Sequence, residues 1–127
     1  MTEFFAGIAN LPPTNGYSHV VSFTGRLVAV SGQVPVSPSG SVPASPREQV
    51  HQVFENLATA LSAAGADFGH VVKLTVFLTD LADLPVFREV RDEFLPAGRP
   101  APASSLVQVA GLVNPAFRVE IEAWAAI

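Results

Sequence analysis

Apolar residues recur along this chain at two periods, and the switch between them marks out its elements. Val50, Val53, Phe54, Leu57, Leu61 and Ala64 fall on one helix face, with His51, Gln52, Glu55, Asn56 and Thr59 on the others. Ser45-Pro46-Arg47-Glu48 is a well-formed start for this helix. Ser45 caps, Pro46 fits a first turn that needs no amide hydrogen, and Glu48 holds the capping-box position. Gly65 ends it. From Val71 to Thr79 the period drops to two: Val72, Leu74, Val76 and Leu78 form one face, and Lys73, Thr75, Phe77 and Thr79 the other. A second helix follows, capped by Asp80 or Asp83. It carries Leu84, Phe87, Val90 and Phe94 inward, with Arg88, Glu89, Asp92 and Glu93 outward.

The flanks read as strands and loops. Tyr17 to Phe23 and Arg26 to Ser31 are strands, and the tight turn Thr24-Gly25 between them predicts a hairpin. Residues 1–16, with Pro12, Pro13, Asn15 and Gly16, read as a loosely held arm. Residues 35–45 are rich in Pro, Ser and Gly, a loop long enough to be functional or mobile. Pro96 to Pro102 breaks the chain again, and the last strands span Ser104–Val109 and Phe117–Ala125. In the final one Phe117, Val119, Ile121 and Ala123 alternate with Arg118, Glu120, Glu122 and Trp124.

The order ββ-α-β-α-ββ predicts a single α+β domain over residues 1–127, a mixed sheet with two helices packed on one face. The other sheet face mixes Thr75, Phe77, Gln108, Glu120, Glu122 and Trp124. That is too apolar for free solvent and too polar for a dry core, the character of a wet subunit interface.

Composition narrows the function classes. The chain has 127 residues, 49% hydrophobic and only 14% charged, which argues against disorder and for apolar surface covered by a partner subunit. Cysteine is absent, so disulfides and thiolate chemistry are excluded. Net charge is −4 and the seven Lys plus Arg form no basic stripe, which argues against nucleic acid as a partner. No apolar run approaches the ~20 residues of a membrane helix, and Glu3 stands where a secretory leader would be basic. The expectation is a soluble cytoplasmic protein. His19, His51 and His70 show no metal-ligand spacing. Ser104 and Ser105 lack a histidine in triad order, and Gly98 and Gly111 form no phosphate cradle.

Landmarks in sequence order carry a resemblance. They are Tyr17-Ser18, Ser31-Gly32-Gln33, Gln49, Asn56-Leu57, Ala63-Ala64-Gly65, Val71-Val72-Lys73-Leu74-Thr75-Val76-Phe77-Leu78 with Asp80, the strand after Arg99-Pro-Ala-Pro-Ala, and Glu120-Ile121-Glu122-Ala123. As an ordered set at these spacings the chain resembles the RidA/YjgF family, also labelled endoribonuclease L-PSP, over nearly its whole length. The resemblance implies a chorismate-mutase-like homotrimer with a small-molecule cleft between neighbouring subunits. It also implies an activity: hydrolysis of enamine or imine acids to a keto acid and ammonia, with neither metal nor cofactor.

Carried over residue by residue, the water-positioning glutamate is Glu120, the cleft tyrosine Tyr17 and the turn glycine Gly32, whose backbone meets the substrate nitrogen. The family's carboxylate-clamping arginine corresponds to Ser104. Leu106 stands where a small polar side chain or thiol is frequent, and Arg88 where asparagine is frequent. The exchange at 104 has energetic weight. Truncating one partner of a desolvated charged pair commonly costs ~2–5 kcal/mol, whereas a neutral hydrogen bond contributes ~0.5–1.5 kcal/mol. A serine hydroxyl does not replace the arginine.

Each candidate has a plainer reading beside the sharp one. Arg88 is either a relocated clamp or a solvated helix arginine paired with Asp92; Arg99 and Arg118 are further candidate cations. Glu120 is either a general base in an apolar cleft beside Trp124 or an interface carboxylate satisfied by backbone or Lys73. Tyr17 is a cleft wall or an ordinary interfacial aromatic. Three functions therefore stand: a metal-free imine hydrolase, a trimer that binds a metabolite without transforming it, and, against the charge balance, an endoribonuclease.

Overall fold

In the computed structural model, which describes all 127 residues, the elements run β1 (Thr2–Phe5), β2 (Val20–Phe23), β3 (Leu27–Gln33), α1 (Pro46–Ala63), β4 (Val71–Leu78), α2 (Leu84–Phe94), β5 (Ala103–Gln108) and β6 (Val119–Ala126). Helix α1 starts where its cap dictates. The Ser45 hydroxyl accepts from the Glu48 amide at 3.1 Å, and Pro46 occupies the first turn. The Glu48 side chain does not return the bond, so the cap is one-sided.

Four strands form the main sheet in the order β3-β6-β4-β5, with β4 and β5 parallel and the other pairs antiparallel. Both helices supply the core against one face of it. Phe54, Leu57, Leu61 and Val53 of α1 and Phe87 and Val90 of α2 are buried with Leu74, Val76, Leu78, Ile121 and Ala123. Aromatic packing closes the layer: Phe54 stacks on Phe94 at 5.2 Å, with Phe68 and Phe87 at 5.9 and 6.1 Å. The α+β architecture and the two helices match the expectation from the hydrophobic pattern.

Three local readings are corrected. Strands β2 and β3 do not form a hairpin. Strand β2 pairs with β1 from Thr2 opposite Phe23 to Phe5 opposite Val20, while β3 pairs with β6. The Thr24-Gly25 turn is therefore a crossing between sheets, and within the expected arm of residues 1–16 Thr2–Phe5 is a strand. Second, a bulge in β4 between Val71 and Lys73 shifts the face by one residue. Val71 joins the core, and Val72 lines a groove on the other face with Trp124 and Leu27. Third, Asp83 stands at the start of α2 without capping it. Its carboxylate accepts two hydrogen bonds from Arg118, at 2.8 and 3.0 Å, and Asp80 caps the short 3-10 turn before it.

Buried amides fix the loops. Gln49 donates to the carbonyls of Pro43 and Ala116 and accepts from the Arg118 amide at 2.8 Å. Asn56 donates to the carbonyls of Val34 and Val36 at 3.0 and 2.9 Å. The 35–45 loop is thus held at both ends against α1, and it folds on itself through Ser37 and Ser41.

Two substitutions test this frame by urea denaturation. Phe54→Ala empties the centre of the aromatic cluster and is expected to cost about 3–5 kcal/mol. Gln49→Leu keeps the volume but removes the partner of three backbone groups, those of Pro43, Ala116 and Arg118, and is expected to cost about 1–3 kcal/mol.

Candidate functional site

Strand alternation divides the predicted site residues between two faces of the sheet. On β6, Val119, Ile121 and Ala123 point into the core, so Glu120, Glu122 and Trp124 point away from the helices. On β5 the parallel register sets Ser104 beside Leu74 and Leu106 beside Val76, both core-facing, so Ser104 and Leu106 lie on the helix side. Glu120 and Ser104 therefore belong to opposite faces of one protomer.

On the helix side lies a pocket of about 270 Å³ lined by Asn15, Tyr17, Leu84, Phe87, Arg88, Arg91, Ser104 and Leu106. Its walls are placed by the segment before β2. The buried Ser18 hydroxyl donates to the Ala101 carbonyl at 2.6 Å, and its amide donates to the Pro102 carbonyl at 3.0 Å. This makes a parallel bridge to Ala103, which holds Tyr17 beside the start of β5. The Tyr17 ring packs edge-on against His19, whose Nε2 donates to the Pro12 carbonyl at 2.7 Å.

Arg91 is the residue that sequence reading missed. It is only 7% exposed, and its guanidinium lies 5.9 Å over the Phe87 ring. Its Nε donates to Asp92 at 2.9 Å, and it packs under the backbone of Gly16. A side chain at Gly16 would collide with that guanidinium, and the φ of +71° there suits glycine as well. The signal was present in the helical spacing: Arg91 follows Phe87 by four and lies on the inward stripe. Asp92 is thus taken by Arg91, and Arg88 makes no ion pair with it.

Glu120 and Gly32 meet on the open face. The register between β3 and β6 slips between Val30 and Gln33, and this bulge sets Gly32 under the Glu120 carboxylate. Any Cβ at Gly32 would strike Glu120, so the close approach requires glycine. Lys73, the alternative partner for Glu120, instead donates to the Ser105 hydroxyl at 3.0 Å. Glu120 and Glu122 are half-buried and meet no cation of their own chain. The face around them is mixed, with Phe23, Leu27, Val107 and Trp124 exposed beside the Lys73–Ser105 pair.

The remaining candidates stand elsewhere. Arg118 joins the β6 entry to Asp83, and that hydrogen-bonded carboxylate raises its pKa above the ordinary arginine value. Arg99 lies over Gly69 in a separate cavity of about 430 Å³ between β1 and the 95–102 loop. His51 pairs with Glu55 at 2.7 Å, and His70 Nδ1 accepts from the Asp67 amide. No helix is long and apolar enough to cross a membrane.

Known proteins share this fold. The family model described as endoribonuclease L-PSP matches residues 7–127. The 2-iminobutanoate/2-iminopropanoate deaminase of Mus musculus is 40% identical over 109 residues, covering 84% of this chain and 78% of the mouse protein. The crystal structure of E. coli TdcF with bound serine superposes with a TM-score of 0.76 at 34% identity, covering 98% of this chain and 99% of that one. The Rid-family protein YyfB of Yersinia pestis superposes with a TM-score of 0.88 at 27% identity, covering 99% of this chain and 98% of that one. With a match over nearly the full length and relatives named as deaminases of reactive intermediates, the chain belongs to the endoribonuclease L-PSP family of RidA/YjgF proteins.

Proposed function

We propose that this protein is a metal-free enamine or imine hydrolase whose site is completed between protomers of a homotrimer. The Glu120–Gly32 half of one protomer faces the Tyr17–Ser104–Leu106 pocket of the next. The observation that carries the reading is Glu120 itself, a carboxylate without a partner, held over a bulged glycine on a face that also exposes Phe23, Leu27, Val107 and Trp124. A chain that leaves such a group and such a face uncovered is well suited to burying both against a second copy. Relatives named as imine deaminases support the chemistry.

In this reading Glu120 orients a water for addition to the imine carbon and accepts its proton as the carbon–oxygen bond forms. That proton passes to the nitrogen to complete a carbinolamine. Glu120 then takes the hydroxyl proton as the carbonyl forms and delivers it to the nitrogen as the carbon–nitrogen bond breaks, releasing ammonia and leaving a carbonyl compound. Backbone at Gly32 holds the nitrogen, and Tyr17 and Leu106 wall the cleft. Ser104, at the family's arginine position, gives this chain a different substrate range from members that clamp a carboxylate there.

Ser104 also favours a second reading, a trimer that holds a metabolite without transforming it, since one neutral hydroxyl stabilises an anion poorly. An endoribonuclease role is disfavoured by the net charge of −4.

A coupled assay separates these. Imines generated from several amino acids by an amino-acid oxidase should lose ammonia faster with the protein than in buffer. Glu120→Gln should lower that rate at least about 100-fold. Gly32→Ala should do nearly the same, by displacing the carboxylate, while the melting temperature stays close to that of the parent. No acceleration for any imine leaves the binding reading. Light scattering after size exclusion should give three times the 13.3 kDa chain mass.

A further inference from the structure

We infer that Arg88 is the anion-binding group of the helix-side pocket, and that its ligand is a small carboxylate with an apolar tail. Among the seven basic residues, five are engaged. Arg47 pairs with Glu89, Arg91 with Asp92 and Arg118 with Asp83, while Arg26 donates to the Ala64 carbonyl and Lys73 to Ser105. Only the side chains of Arg88 and Arg99 make neither a hydrogen bond nor an ion pair. Of these two, Arg88 lines the pocket that also holds Ser104 and Tyr17.

The chemistry of that pocket is one-sided. Its lining contains two guanidiniums and no carboxylate, in a chain whose net charge is −4. Arg91 is neutralised by Asp92 and fixed under Gly16, which leaves Arg88 as the cation free to meet a ligand. The hydroxyls of Tyr17 and Ser104 make no hydrogen bond within the chain, so each has a donor to offer an oxyanion beside the guanidinium fork. Leu84, Phe87 and Leu106 supply the apolar wall for a hydrocarbon tail. Arg88 stands on α2 and Ser104 on β5, so the cation comes from the helix while the strand contributes a hydroxyl.

This inference rests on the reading of the pocket as one half of the site, but its test is binding and does not require turnover. Butyrate and its neutral isostere butyramide are titrated into the full-length protein and followed by amide chemical shifts. The expected result is that butyrate binds and butyramide binds at least tenfold more weakly. Arg88→Ala should weaken butyrate about 10- to 100-fold and abolish the preference for the anion. Adding Ser104→Arg to that variant should restore it, and Arg99→Ala should change nothing. Butyrate binding unaltered by Arg88→Ala, or lost equally in Arg99→Ala, would overturn the inference. Arg88-dependent binding without deamination of any imine would retain the inference and remove the hydrolase reading instead.

Discussion

A side chain on a β-strand faces one of only two directions, and this restriction governs the whole site. Glu120 sits between two core residues of β6 and is driven to the open face. Ser104 sits opposite a core residue of β4 and is driven to the helix side. Burial of the apolar partners enforces both outcomes, because a slip of one residue would turn Ile121 and Leu74 out to water. The two groups therefore cannot meet within one chain. An arrangement that uses both must supply one of them from a neighbour, and the trimer proposed above is one that does so.

Around that frame, buried polar groups do the positioning. Gln49 ties α1 to the 43–45 loop and to the chain entering β6, and Asp83 with Arg118 ties that entry to the start of α2. Arg91 locks α2 to the segment that carries Tyr17. Each joins elements far apart in sequence, and each is satisfied by hydrogen bonds, as burial demands. The two faces with their candidate groups are thus held by a scaffold of paired polar side chains. Unpaired groups gather at the candidate residues: Glu120 and Glu122 on one face, and Arg88, Tyr17 and Ser104 around the pocket on the other.

Much of this was legible in the residues. The periodicity of Val50 to Leu61 located α1 and its buried face, and Ser45-Pro46 located its start. The alternation in β6 assigned Glu120 to the open face before any coordinates. The missed features are those that periodicity does not encode. The bulges in β3 and β4 insert single residues, so Val72 changed faces and Gly32 came under Glu120. The partner of β2 was misjudged because a tight turn between two short strands looks like a hairpin whether or not the strands pair. Arg91 was hidden because a charged residue on an inward stripe is read as an irregularity, although its place four residues after Phe87 was visible. Ser104 and Arg88 were both legible as departures from the family pattern. Only the fold brought them into one pocket.

The absence of cysteine from the sequence allows the composite site to be tested directly. Ser104→Cys and Glu120→Cys variants, co-expressed and treated with a short bis-maleimide, should yield a covalent dimer that neither variant forms alone. Cross-linking confined to the mixture would establish that the strand edge of one protomer faces the open sheet of the next. A folded mixture that stays uncrosslinked, or one that elutes as monomers, would contradict the account.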